Sequence, residues 1–189
     1  MSAKLIFLAG SARKDSVNKK LAKAAADKAK ELGAEATFID LKDYEMPIFC
    51  EDHESENGIP DAAHQLITLF KESDGFLIAS PEYNSTFSAL LKNTFDWMSR
   101  ISEEGQPAHP ATRGKIVALM SASPGPLGGI RGLTPLRLWL SSIGAHVIPN
   151  QFALGGAYGQ FDDEGNFTGD NPFFEITLKE FVETAQALK

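Results

Sequence analysis

Two stretches of the chain concentrate the side chains that could do chemistry. The first, Gly10-Ser11-Ala12-Arg13-Lys14-Asp15-Ser16-Val17-Asn18, runs from an apolar segment directly into a segment of helical spacing. Hydroxyls, an amide and a guanidinium meet there at a helix N-terminus, where free N–H groups and the helix dipole favour an anion, most simply a phosphate. Ordinary capping by Ser16 or Asn18 would use the same residues without any ligand. The second stretch is Ser80-Pro81-Glu82-Tyr83-Asn84-Ser85-Thr86. Pro81 stiffens it, Tyr83 offers a flat face to an aromatic ligand, and Glu82 and Asn84 offer hydrogen-bonding edges. A capped loop with a core aromatic is the plain alternative.

Other chemistries lack their residues. No G-x-G-x-x-G follows the first apolar run, and Gly114-Lys115 is followed by Ile116 without the earlier glycine, which removes the dinucleotide fingerprint and the P-loop. The acidic strand ends of a response regulator are replaced by Gly10-Ser11 and Ser80-Pro81. No G-x-S-x-G elbow or H-E-x-x-H pair occurs, and His53, His64, His109 and His146 are scattered, so neither a protein nucleophile nor a metal centre is expected. Asp162-Asp163-Glu164-Gly165-Asn166 lacks the alternating ligands and closing Glu of a calcium loop, Phe173 standing where that Glu belongs, and reads as a turn. Cys50, between Phe49 and Glu51-Asp52, has no neighbour that would activate a thiolate and reads as structural.

The elements that must position the two stretches follow from periodicity. Leu5–Ala9, Ala34–Ile39, Gly75–Ala79, Ile116–Met120 and Ala145–Ile148 read as strands. Three of them are apolar almost throughout, as strands covered on both faces are. Helical spacing runs from Val17 to Leu32, stopping at Gly33; from Pro60 to Phe70; through Phe87, Leu91, Phe95, Met98 and Ile101; through Leu133, Leu136, Leu140 and Ile143; and from Asn171-Pro172 to Leu188. Pro135 implies that the fourth helix starts near Thr134 or kinks there. Gln151 to Asp170 reads as an extended loop or hairpin. Strand and helix alternating about five times imply a doubly wound α/β sheet in three layers, a single domain over residues 1–189. In such a sheet ligands bind beyond the carboxyl ends of the strands, where both stretches lie. Trp97, Met98, Leu138 and Trp139 exceed one core stripe and suggest subunit contacts.

Composition bounds the partners. With 18 Lys plus Arg against 25 Asp plus Glu, the net charge is −7, which argues against nucleic acid and anionic membrane. One cysteine permits no intrachain disulfide, and the apolar stretch after Lys4 ends at Gly10, too short for a signal peptide. No run approaches the ~18 apolar residues of a membrane span. A soluble cytoplasmic domain is expected.

Taken together, Gly10-Ser11-x-Arg13 with Ser16 and Asn18, Ser80-Pro81-Glu82-Tyr83-Asn84, and Leu91-Lys92-Asn93 through Asp96-Trp97 resemble the NADPH-dependent FMN reductase family, which includes quinone, azo-dye and chromate reductases. The likeness extends over the Leu41–Phe49 stretch with Met46-Pro47 and the Ser121–Gly129 loop. It implies a flavodoxin-like five-stranded parallel sheet that holds FMN noncovalently. Ser11, Arg13, Ser16, Val17 and Asn18 match the phosphate positions; Pro81, Glu82, Tyr83, Asn84 and Ser85 match those lining the isoalloxazine; Ser121 and Gly125 match a loop near its pyrimidine edge. The resemblance further implies ping-pong transfer of hydride from NADPH or NADH through FMN to a small-molecule oxidant, with no obligatory protein acid, in a homodimer or homotetramer. A flavodoxin-type electron carrier, binding FMN without NAD(P)H reductase activity, is the alternative. Where relatives often carry Gly after the loop's Asn, this chain has Ser85-Thr86-Phe87, which puts the loop's turn geometry in question.

Overall fold

The structure, a computed structural model, describes residues 2–102 and 108–189. In chain order the elements are β1 (Lys4–Ala9), α1 (Val17–Glu31), β2 (Glu35–Ile39), a 3₁₀ turn (Leu41–Asp43), α2 (Glu51–Asn57), α3 (Asp61–Glu72), β3 (Gly75–Ala79), α4 (Ala89–Ser99), β4 (Ile116–Ala122), α5 (Ile130–Ser142), β5 (His146–Leu154) and α6 (Pro172–Ala187). The strands form one parallel sheet in the order β2-β1-β3-β4-β5. This is the flavodoxin-like doubly wound arrangement expected from the sequence, and its order reverses between β1 and β3.

Why these strands read as continuous apolar runs is visible in their burial. Every residue of β3 and β4 is buried. Alternate residues serve alternate faces. Leu5, Phe7, Leu77, Ala118 and Met120 meet α1 and α6, where α1 contributes mainly small side chains: Ala22, Ala25, Ala26 and Ala29. Ile6, Leu8, Phe76, Ile78, Val117 and Leu119 face the other layer, built from Leu66 and Phe70 of α3, Leu91 and Phe95 of α4, and Leu136 and Leu140 of α5. Phe70, Phe76 and Phe95 pack with ring centroids 5.1 to 5.9 Å apart.

Local signals account for most helix ends. Ser16, Ser88 and Asn171 cap α1, α4 and α6 with their side chains, and Gly33 takes a left-handed φ of 87° where α1 has stopped. Phe87 therefore lies outside α4.

Two boundaries differ from the expectation by more than two residues. Helix α5 begins at Ile130, not near Thr134, and carries Pro135 inside it. Strand β5 continues through Leu154 instead of ending at Ile148. Its register against β4 jumps from Val117↔Val147 to Leu119↔Gln151, so Ile148-Pro149-Asn150 bulge out of the ladder. The Arg137 guanidinium reaches from α5 to the carbonyls of Val147, Ile148 and Pro149 at 3.3, 2.7 and 3.2 Å. Its burial there lowers its pKa from the ordinary arginine value. Beyond β5, Phe161 and Phe167 pair across the Asp162–Asn166 turn, the hairpin form of the expected loop.

Trp97 and Met98 are fully buried, so they belong to the core and not to an outer face; Leu138 is 73% exposed. Among the described residues no helix is long and apolar enough to cross a membrane.

Candidate active site at the carboxyl edge of the sheet

Strands β1, β3 and β4 are neighbours, so the loops that leave them (residues 10–16, 80–88 and 123–129) lie side by side. Each stays bonded to the next strand as it departs: Gly10 N–H donates to Ala79 O (3.0 Å), Ser80 N–H to Met120 O (2.8 Å) and Ser123 N–H to Leu154 O (3.0 Å). The first two loops also touch. A Cβ at Gly10 would come within 2.6 Å of Leu91 Cδ1 and 2.9 Å of Ser88 Oγ, so only glycine lets β1 end this close to the start of α4.

At the first loop Ser16 Oγ accepts from Lys19 N–H at 3.4 Å, and Ser11 Oγ accepts from Arg13 N–H at 3.4 Å. Both serines are buried, while Arg13 is exposed and donates from Nη2 to Asp15 O (2.9 Å). Val17 and Asn18 are the first two helical residues, whose N–H groups have no partner within the helix and face out of its end. Lys19 turns away. Its buried ammonium binds Asp40 at 2.7 Å, beyond the end of β2, so Arg13, Lys14 and the helix end supply the positive field. Asn18 is also committed: its amide donates to Ala122 O and accepts from Ala122 N–H, both at 2.9 Å. That side chain docks α1 onto the end of β4, leaving the backbone N–H at the open helix end.

The second loop is a tight hairpin. Tyr83 and Thr86 exchange N–H···O bonds of 2.9 and 3.1 Å around Asn84 and Ser85, whose φ values are 52° and 64°. Positive φ at both central residues is the type I′ geometry that favours Asn-Gly. Ser85 thus keeps the turn that glycine would make and takes the left-handed strain itself. The turn holds the Tyr83 ring 54% exposed. Glu82 instead points into the protein, its Oε2 accepting from Arg131 N–H (3.1 Å) and its Oε1 from Arg131 Nε (2.8 Å).

The third loop is fixed by its backbone. Ser121 is fully buried and donates to Gly128 O (2.6 Å), so it shapes the loop. Gly125 O accepts from the N–H groups of Gly128 and Gly156, both at 3.2 Å.

The sequence places Asn93 in a family motif without a role and Trp97 among candidate subunit contacts, and the structure gives both an internal one. Asn93 accepts from Phe49 N–H (2.8 Å) and donates to Pro47 O (2.9 Å), and Trp97 Nε1 donates to the same oxygen (2.7 Å). The two residues clamp the Met46–Phe49 stretch to α4. Cys50 stands exposed at the first residue before α2.

Comparison with known proteins matches this arrangement. The model of the NADPH-dependent FMN reductase family matches residues 3–159. The chain belongs to that family. A NADPH azoreductase from Bacillus sp. (strain OY1-2) is 31% identical over 162 residues, 86% of this chain and 82% of the relative. A quinone reductase from Escherichia coli (strain K12) is 33% identical over 161 residues, 82% of this chain and 80% of the relative. Among solved structures, the flavoenzyme NAD(P)H:(acceptor) oxidoreductase FerB from Paracoccus denitrificans superposes with a TM-score of 0.80 at 23% identity, covering 98% of each chain, which shares the fold. As a member of this family the protein is an FMN-dependent NAD(P)H oxidoreductase acting on a small-molecule acceptor.

Proposed function

We propose that the cleft holds FMN with its phosphate at the start of α1 and its ring system against the Tyr83 hairpin, and that the acceptors are quinone-like, azo, metal-oxyanion or free flavin compounds. The donor set supports the fit. Ser11, Ser16, the N–H groups of Val17 and Asn18, and the Arg13 guanidinium form a site for a dianion within an acidic protein. Pro81, the Glu82 backbone, Tyr83, Asn84 and Ser85 would line the ring, with the Gly125 turn at its edge. Bound FMN supplies the two-electron chemistry, drawing reducing equivalents from NAD(P)H and passing them to the acceptor.

The chain's own contribution is then binding and orientation. Arg13 and the helix end neutralise the phosphate, Gly10 holds the two loops together, and the exposed Tyr83 flanks an open face that donor and acceptor occupy in turn. The observation that carries this reading is the contact of Gly10 with Ser88 and Leu91, which sets an anion-binding helix end beside an aromatic hairpin. This reading sets the protein in the cytoplasm, where NAD(P)H is available, as one FMN-binding domain assembled into a homodimer or homotetramer. Exposed Leu127, Ile130 and Leu138 along α5 and its approach favour that assembly.

Visible spectra of the purified protein, recorded before and after anaerobic NADPH, provide the test. A yellow protein bleached by NADPH and recoloured by a quinone is the expected result. A protein that stays colourless after incubation with FMN overturns the reading; a yellow one that NAD(P)H cannot bleach makes it an electron carrier instead.

A further inference from the structure

The residue before helix α5 is Gly129, which has a left-handed φ of 85° and no side chain with which to cap the helix. The cap comes from the Tyr83 loop. Glu82 Oε2 takes the Arg131 N–H of the first turn at 3.1 Å, and Oε1 takes Arg131 Nε at 2.8 Å and Nη2 at 2.6 Å. One glycine admits this approach of the loop: a Cβ at Gly132 would sit 3.1 Å from Thr86 O, closer than side chains normally pack, and 3.4 Å from Glu82 Cα. The Glu82 side chain is 9% exposed and that of Arg131 62%. A carboxylate is therefore held almost out of water in the loop that faces the cofactor, with its countercharge on the solvent side.

Building on the functional reading above, we propose that Glu82 and Arg131 are positioning residues that set the flavin's reduction potential by presenting a charge-balanced pair. Reduction adds negative charge to the cofactor, so a carboxylate beside the ring would oppose it and an unpaired guanidinium would favour it. Paired, the two charges largely cancel while their hydrogen bonds lock the hairpin to α5. A merely structural latch has a different signature, since loosening the loops weakens binding of oxidised and reduced FMN together and leaves the potential where it was.

The test measures the midpoint potential of bound FMN and its dissociation constant in Arg131→Gln, Glu82→Gln and Arg131→Lys. Arg131→Gln keeps the backbone N–H and removes the cation; the affinity for reduced relative to oxidised FMN should fall about tenfold, equivalent to ~30 mV lower for a two-electron couple. Glu82→Gln should shift the ratio by a similar factor in the opposite direction, and Arg131→Lys should return it close to wild type. Shifts of the same sign, or potentials unchanged in all three, overturn the proposal. Thermal unfolding of the apoproteins is read in parallel. The exposure of Arg131 makes Arg131→Gln decisive should Glu82→Gln fail to fold, because an unchanged potential in that variant alone defeats the idea. Failure of the wild type to take up FMN instead defeats the functional reading.

Discussion

The loops after β1 and β3 meet at one edge of the sheet but are built in opposite ways. In the first, most bonds close within a few residues, Ser11 with Arg13, Arg13 with Asp15 and Ser16 with Lys19, while Lys19 reaches to Asp40 and Asn18 farthest along the chain, to Ala122. In the second, Glu82 is tied to a residue 49 positions away, and the turn itself carries two left-handed residues that are not glycine. A helix end offers N–H donors wherever a helix begins, so recognising a charge can be a local matter. A platform for a flat ring has to be held from several sides, and here its carboxylate is consumed in holding it.

Cutting the longest-range side-chain tie of the local loop should give the largest effect. Asn18→Ala leaves the Ala122 N–H and C=O buried without partners, which at about 1 to 3 kcal/mol per group predicts roughly 2 to 6 kcal/mol of lost stability. Urea unfolding of the apoprotein measures it, and a loss below about 1 kcal/mol would mean that the β4 end is held by other contacts. FMN affinity should fall as well, because the helix end moves with the side chain that docks it.

Arg13→Ala separates recognition from scaffolding. Its guanidinium is exposed and, among the described residues, bonds only to the nearby Asp15 carbonyl, so the apoprotein should unfold at the same urea concentration as wild type. FMN should bind about 10- to 100-fold more weakly through loss of a charge-assisted hydrogen bond to the phosphate. Unchanged affinity removes Arg13 from the site and leaves the phosphate to the serines and the helix end.

The same contrast decides what could be read from the sequence. Strands β1, β3 and β4 announced themselves because burial on both faces writes an uninterrupted apolar run, and α1 announced itself through Ser16 and Gly33, both local signals. The stretch proposed to bind phosphate was legible for that reason. The start of α5 was not, since its cap is Glu82, and Pro135 alone pointed to a later start. The second half of β5 was hidden because Pro149-Asn150 resembles a turn until Arg137 is seen to satisfy the bulged carbonyls. Trp97 looked like a surface aromatic because its partner, the Pro47 carbonyl, is 50 residues distant. The resemblance to known reductases named the residues proposed to hold FMN, whereas the commitment of the Asn18, Ser121 and Glu82 side chains to backbone and to Arg131 became visible only in three dimensions.

The smallest expected effect compares two serines directly. Ser85 sits at φ 64°, where a residue with a Cβ is strained by about 1 to 2 kcal/mol, and glycine's greater freedom in the unfolded chain offsets part of that cost. Ser85→Gly should therefore stabilise the apoprotein by about 0.5 to 1 kcal/mol. Ser16 sits at φ −75° and accepts a hydrogen bond from the first turn of α1, so Ser16→Gly should destabilise by a few tenths of a kcal/mol. Opposite signs from the same substitution would show that the aromatic loop stores backbone strain where the phosphate loop stores capping. Destabilisation in both would mean that the Ser85 side chain compensates for its own backbone, and that the hairpin is not strained by lacking glycine at this position.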